Sequence, residues 1–250
     1  ISLKFISSNN QVNQPSLHKE ALELIVKIIK SSQLENKLDH DIYVRIIESL
    51  ILKQFIDIKQ YENKLLAIGI LLSKITQCNI SLVEQIVMLI QDGISSKIED
   101  DYPLILITKH LTHKVDGEKL YDELFNKDSF DKPILSPAIL STVVVESHLH
   151  HKIAEFEKLL LCGVSDEKQL IFILNFLGNV SKFKKLEIEL SVFLELLRTY
   201  QSNETVKLTI AGNIGKFISR DINSYLPHIL KSLKSASENE AEETKSLRYC

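Results

Sequence analysis

Residues 205–230, TVKLTIAGNIGKFISRDINSYLPHIL, decide how the chain is read. Within them Gly212-Asn213-Ile214-Gly215-Lys216 has the glycines and lysine of a phosphate-cradling loop. Such a loop needs a strand before it, four residues between its glycines and Ser or Thr after the lysine, so that backbone N–H groups and a hydroxyl surround the anion. Here two residues separate Gly212 from Gly215, Phe217 follows the lysine, and the apolar positions recur on a helical period. The stretch reads instead as a helix over 203–219 with Val206, Ile210, Ile214 and Phe217 as its large apolar stripe. Ala211, Gly212 and Gly215 fall together on an adjacent face. Glycine inside a helix costs about 1 kcal/mol relative to alanine, so close approach of a neighbouring backbone is expected there, as it is at Gly178. After this helix, Asp221, Asn223 and Ser224 are capping candidates, and Pro227 fits the first turn of the next helix, where its missing N–H is not needed.

Working outward, the same period recurs. Tyr43, Ile46, Ile47, Leu50 and Ile51 make one helical face, as do Val83, Ile86, Val87, Ile90 and Ile94, then Leu190, Phe193, Leu194 and Leu197. Between them lie helices apolar on several sides, such as 169–180, QLIFILNFLGNV, which must be covered by more than one neighbour. Gly178 to Gly215 is 37 residues (215 − 178), and Gly69 to Gly178 is 109 (178 − 69), close to three such units. That spacing belongs to stacked two-helix repeats. Outer helices, with one polar face, are expected near 40–56, 80–95, 117–126, 150–162, 186–199 and 223–236. Inner helices, sandwiched between repeats, are expected near 16–31, 61–76, 101–113, 134–148, 166–181 and 203–219. The fold class expected from the period is therefore an all-α α-solenoid, a single fragment over 1–250 of six to seven antiparallel helix pairs, cut at both ends.

Composition agrees. Seven Gly, five Pro and no Trp in 250 residues leave little material for the tight turns of a sandwich or barrel. A net charge of −3 argues against a nucleic-acid binder, which needs a concentrated basic surface. The Lys182, Lys184, Lys185 cluster reads as a solvated helix end. Three cysteines at wide spacings suggest neither a disulfide framework nor a zinc knuckle, and fit a reducing compartment. No apolar run reaches the ~18 residues of a membrane span. The sequons at Asn79, Asn179 and Asn203 read as chance.

Small-residue helix, glycine, polar turn and Tyr-Leu-Pro together resemble a HEAT repeat, which implies a HEAT-repeat α-solenoid, a right-handed superhelix of antiparallel helix pairs. The run Val206-Lys207…Ile214-Gly215…Asn223-Ser224-Tyr225-Leu226-Pro227-His228-Ile229-Leu230 resembles one repeat in the later half of the cullin-associated, neddylation-dissociated (Cand, or TATA-binding-protein-interacting) family. Leu177-Gly178-Asn179-Val180 stands where that family has leucine-glycine-acidic-valine. The likeness covers about 165–233, while 16–165 agrees in helix order and length. Asn213-Ile214-Gly215 departs from the family's alanine-leucine-glycine, and Thr209 and Ile210 replace alanines. The resemblance implies a non-enzymatic scaffold, cytoplasmic or nuclear, that wraps an unmodified cullin–RING ubiquitin ligase and promotes exchange of substrate adaptors. Two other readings stand beside it: an importin-β-type transport receptor, and a structural HEAT scaffold of a phosphatase or chromatin complex. The absence of Trp disfavours armadillo-type importins with their tryptophan–asparagine ladder.

No catalytic constellation, cofactor site or small-molecule substrate is called for. His151 and Glu155, four apart in the His-rich run after Glu146, could supply two metal ligands but need a third from elsewhere; histidines at a helix–helix turn are commonly exposed and favourable beside a helix C-terminus. His110 and His113 read the same way. Cys78 and Cys162 read as structural thiols. The acidic loop 237–244 is a solvated connection or a contact for a basic partner. Partner contacts are expected on the polar positions of inner helices: Lys207 and Lys216, Lys168 and Gln169, Glu62 and Lys64.

Overall fold

The computed structural model describes residues 40–52, 58–96, 98, 100–125, 136–186, 188–218 and 227, and among them every regular element is an α-helix, ten in all. The chain divides between Lys152 and Ile153 into two compact units. The first holds α1 (His40–Ile51), α2 (Ile58–Leu72), α3 (Ile80–Ser95), α4 (Tyr102–Thr112), α5 (Gly117–Leu124), α6 (Pro137–Glu146) and the start of α7 (His150–Cys162). The second holds the rest of α7 with α8 (Glu167–Val180), α9 (Leu190–Thr199) and α10 (Glu204–Ile218). These bounds fall within a few residues of the expected ones. The expected helices at 16–31 and 223–236 and the acidic loop 237–244 lie outside the described residues, apart from Pro227, which is helical and exposed.

Side-chain caps start four of the helices. Asn79 Oδ1 accepts from Leu82 N at 2.7 Å, Asp116 Oδ1 from Lys119 N at 3.0 Å, Asp166 Oδ1 from Gln169 N at 2.7 Å and Asn203 Oδ1 from Val206 N at 3.1 Å. Each satisfies an N–H that the helix itself cannot. Two of the sequon asparagines are thus helix caps. Pro103 and Pro137 occupy first turns. Helix α6 ends in a Schellman turn: His148 N donates to Val145 O at 3.2 Å and Leu149 N to Val144 O at 2.9 Å, with His148 left-handed at φ 57° and Leu149 buried. That turn presses on the first residue of α5, where a Cβ on Gly117 would collide with the Ser147 side chain.

Packing follows two patterns in the first unit. Sequential helices pair, α1 with α2, α3 with α4, α5 with α6; and each helix also meets the next but one, α2–α4–α6 in one row and α1–α3–α5 in the other. Helix α1 buries Tyr43, Ile46, Ile47 and Leu50, as its period requires. Helix α3 buries Leu82, Ile86, Val87, Leu89 and Ile90, leaving Val83 and Ile94 half-buried, because three neighbours, α1, α4 and α5, widen its covered face. In the second unit α10 packs on α8 and α9. The Phe193 and Phe217 rings stand 4.7 Å apart, and Phe156 meets Phe176 at 4.3 Å.

The small-residue face of α10 departs from expectation. Ala211, Gly212 and Gly215 are exposed, and a Cβ at either glycine meets nothing within 4 Å. Val206, Ile210 and Phe217 are buried with Asn213, while Ile214 is only half-buried. The ridge is therefore 206, 210, 213 and 217. A polar asparagine completes it because α8 offers it a partner, which an apolar stripe drawn on one helix cannot reveal. Gly178 of α8 is the glycine at the close approach: a Cβ there would collide with Asn213 Oδ1 and lie 2.7 Å from its Cγ.

Candidate interaction surface

In the row α2–α4–α6 each helix is covered by its pair partner and by its neighbours, which leaves one strip open on each. On α2 the strip runs through Lys59, Glu62, Leu66 and Ile70; on α4 through Tyr102, Ile105, Lys109 and His113; on α6 through Ala138, Thr142, Val145 and Glu146. These positions are exposed or half-buried at spacings of three and four, one side of each helix. The face mixes half-buried aliphatic side chains with an exposed aromatic, Tyr102, at 55% exposure. Such a mixture suits a protein partner.

Charge on this face is organised around Glu146. Its carboxylate takes Lys109 Nζ at 3.4 Å and His113 Nε2 at 3.5 Å, tying the last turn of α4 to the end of α6. Lys109 also lies in the last turn of α4, where positive charge is favoured. His110, beside them, is held below the usual imidazole range by burial and by Lys114, His113 and Lys109, with Glu146 opposing. A second cluster links α5 to the start of α7: Glu118 accepts from His151 Nε2 at 2.9 Å and lies 3.9 Å from Lys152 Nζ, which stands 4.8 Å from the centre of the Tyr121 ring. His151 is thus directed at Glu118. Among the described residues no group of three or more His, Cys, Asp or Glu is placed to hold a metal ion.

The six expected contact residues divide between the two units, Glu62 and Lys64 in the first and Lys168, Gln169, Lys207 and Lys216 in the second. Lys64 is buried at 4% exposure; its Nζ donates to Ile51 O at 3.0 Å and so caps the end of α1. Burial holds its ammonium down to about 8, with Asp92 opposing. Lys64 is removed from the contact set for that reason: a helical period places a residue on a face, but not which carbonyl from another helix will meet it. Glu62, two residues earlier, is half-buried on the open strip. Lys207 and Lys216 are nine residues apart (216 − 207), two and a half turns, and so leave α10 on opposite flanks. Lys207 pairs with Glu204 at 3.1 Å. Lys216 lies against α8, donates to Asn213 Oδ1 at 2.9 Å, and is pulled below the usual lysine range by burial and by Lys182. Lys168 is exposed and Gln169 half-buried in the first turn of α8.

Two residues of this surface that the sequence left unmarked, Tyr102 and Lys109, carried a usable signal. Tyr102 and Lys109 are seven apart on α4, two turns, opposite its apolar ridge of Leu104, Ile107 and Leu111. Among the described residues no helix is long and apolar enough to cross a membrane. Comparison with protein-family models, with curated proteins and with solved structures finds no match.

Proposed function

We propose that the chain is a length of HEAT-type α-solenoid that binds another protein and performs no chemistry in doing so, a scaffold of the cullin-associated kind that grips an unmodified cullin–RING ligase and favours exchange of its adaptors. The observation that supports it most is the next-but-one packing of the first unit. In stacked helix pairs, helices of the same type from successive repeats touch, which gives two parallel rows. The Asn175–Asn213 contact of the second unit spans 38 residues, inside the period of such repeats. On this reading the open strips of α2, α4 and α6 line the binding side, and Tyr102 with the Lys109–Glu146 pair sits at its centre.

The test is retention of the chain by an immobilised, unmodified cullin and, in parallel, by a GTP-loaded transport GTPase. Retention by the cullin is the expected result. Tyr102→Ala should weaken it about tenfold or more, as loss of an interface aromatic does. Lys109→Glu places two carboxylates side by side, and its effect should shrink as salt rises. Lys207→Glu should change little. Capture by the GTPase alone turns the reading towards an importin-β-type receptor, and capture by neither withdraws both.

A further inference from the structure

Away from the open face, the first unit holds a cleft of about 200 Å³ between the start of α3 and α5. Ile80, Val83, Val115 and Leu120 give it apolar walls. That is space for about half a dozen water-sized groups. Two nucleophiles line it, the thiol of Cys78 and the amine of Lys114. Cys78 directly precedes the cap of α3, and Lys114 stands two residues before the cap of α5, so two helix entries bring both residues to the one cleft. Both side chains are half-buried. Each senses the other: burial pushes the Cys78 thiol up with Lys114 opposing, and burial pulls the Lys114 ammonium down with Cys78 opposing. Burial thus favours the uncharged form of both.

We propose that Cys78 and Lys114 form a thiol–amine relay that takes an acyl group from an uncharged acyl thioester and leaves it on Lys114 as an amide. The neutral Lys114 amine takes the Cys78 S–H proton as Sγ attacks the thioester carbonyl. The bond to the donor's sulfur breaks, and the departing thiolate takes that proton from the ammonium. Lys114 Nζ, neutral again, attacks the new Cys78 thioester; the C–S bond breaks, and the Cys78 thiolate recovers a proton from Nζ. The sum is donor thioester and lysine amine giving donor thiol and amide, with no oxidant or reductant. The acyl chain lies against the four aliphatic walls. Glu84, Asp116 and Glu123 outnumber Lys114 and Lys119 in the cleft, which disfavours polyanionic donors and selects an uncharged one. The relay stands apart from the partner-binding proposal and neither depends on the other.

The whole chain, incubated with S-butanoyl-N-acetylcysteamine near pH 8, where free thiols begin to ionise, is mapped by mass spectrometry over time. Lys114 should be acylated at least about tenfold faster than Lys119, which lines the same cleft, because transfer from a thioester formed within the cleft gains from proximity. In Cys78→Ala the rate at Lys114 should fall to that at Lys119. In Lys114→Arg the acyl group should remain on Cys78 as a hydroxylamine-labile thioester, with exposed Cys162 reporting ordinary thiol reactivity. Equal acylation of Lys114 in parent and Cys78→Ala overturns the proposal, as does an unmodified Cys78 in Lys114→Arg. Urea midpoints matching the parent establish that both variants fold.

Discussion

Asn213 of α10 donates from Nδ2 to Asn175 Oδ1 of α8 at 3.1 Å, across 38 residues of sequence. The same amide donates to Thr209 O at 2.9 Å, and its oxygen accepts from Lys216 Nζ at 2.9 Å. A side chain only 1% exposed therefore has partners for both of its ends. Removing it strands groups that were dehydrated to meet it, and that loss exceeds the worth of the bond itself. Asn213→Ala should lower stability by about 1–3 kcal/mol in urea unfolding, and Asn175→Ala by less. In the double-mutant cycle the two should couple by at least ~0.5 kcal/mol; strict additivity would show that the contact does not join the helices.

Two glycines 37 residues apart should respond to alanine with opposite signs. At Gly178 the new methyl must displace the Asn213 side chain, and a loss of about 1–3 kcal/mol is expected from overpacking. At Gly215, exposed and helical, the same change removes only backbone freedom from the unfolded chain and should add up to ~1 kcal/mol. Shifts of urea midpoint in the same direction would contradict the geometry.

His148 holds a left-handed conformation that costs an L residue about 1–2 kcal/mol. His148→Gly should therefore raise the melting temperature while leaving the Schellman turn intact. His148→Ala, with its Cβ retained, should bring no such gain.

Lys64 gives stability a pH signature. Its folded value of about 8 lies below the ~10.4 of an unfolded lysine, so across that window the unfolded chain carries a proton that the folded chain lacks. Stability then rises with pH. Tyr61, pushed up to about 12 by burial and then by Asp92, acts oppositely above about 10, where only the unfolded phenol ionises. Between pH 7.5 and 9.5 the parent should gain about 1–2 kcal/mol relative to Lys64→Met. Equal gains in parent and variant would show that the buried ammonium is not the titrating group.

What was legible in the residues was whatever a helix writes along itself. Tyr43, Ile46, Ile47 and Leu50 marked α1 because burial of one face imposes a period. Asn79, Asp116, Asp166 and Asn203 sit where starts were expected because caps are local. The burial of Lys64 and the place of Asn213 on its ridge were not legible for one common reason: each is satisfied by an atom on another helix, Ile51 O and Asn175 Oδ1, and no spacing within α2 or α10 encodes that atom. The open strip on α4 lies between these cases. Its residues follow from period alone, but its charge pattern depends on Glu146 arriving from α6.

The contact of Gly117 with Ser147 carries a consequence for how related sequences can diverge. The Ser147 hydroxyl is buried without a hydrogen-bond partner among the described residues, held against the one residue that has no side chain to push it away. Neither position can enlarge alone. A chain that gains any side chain at 117 must shrink 147 to glycine or lift the start of α5, so substitutions at these two sites, thirty residues apart (147 − 117), should appear together or not at all.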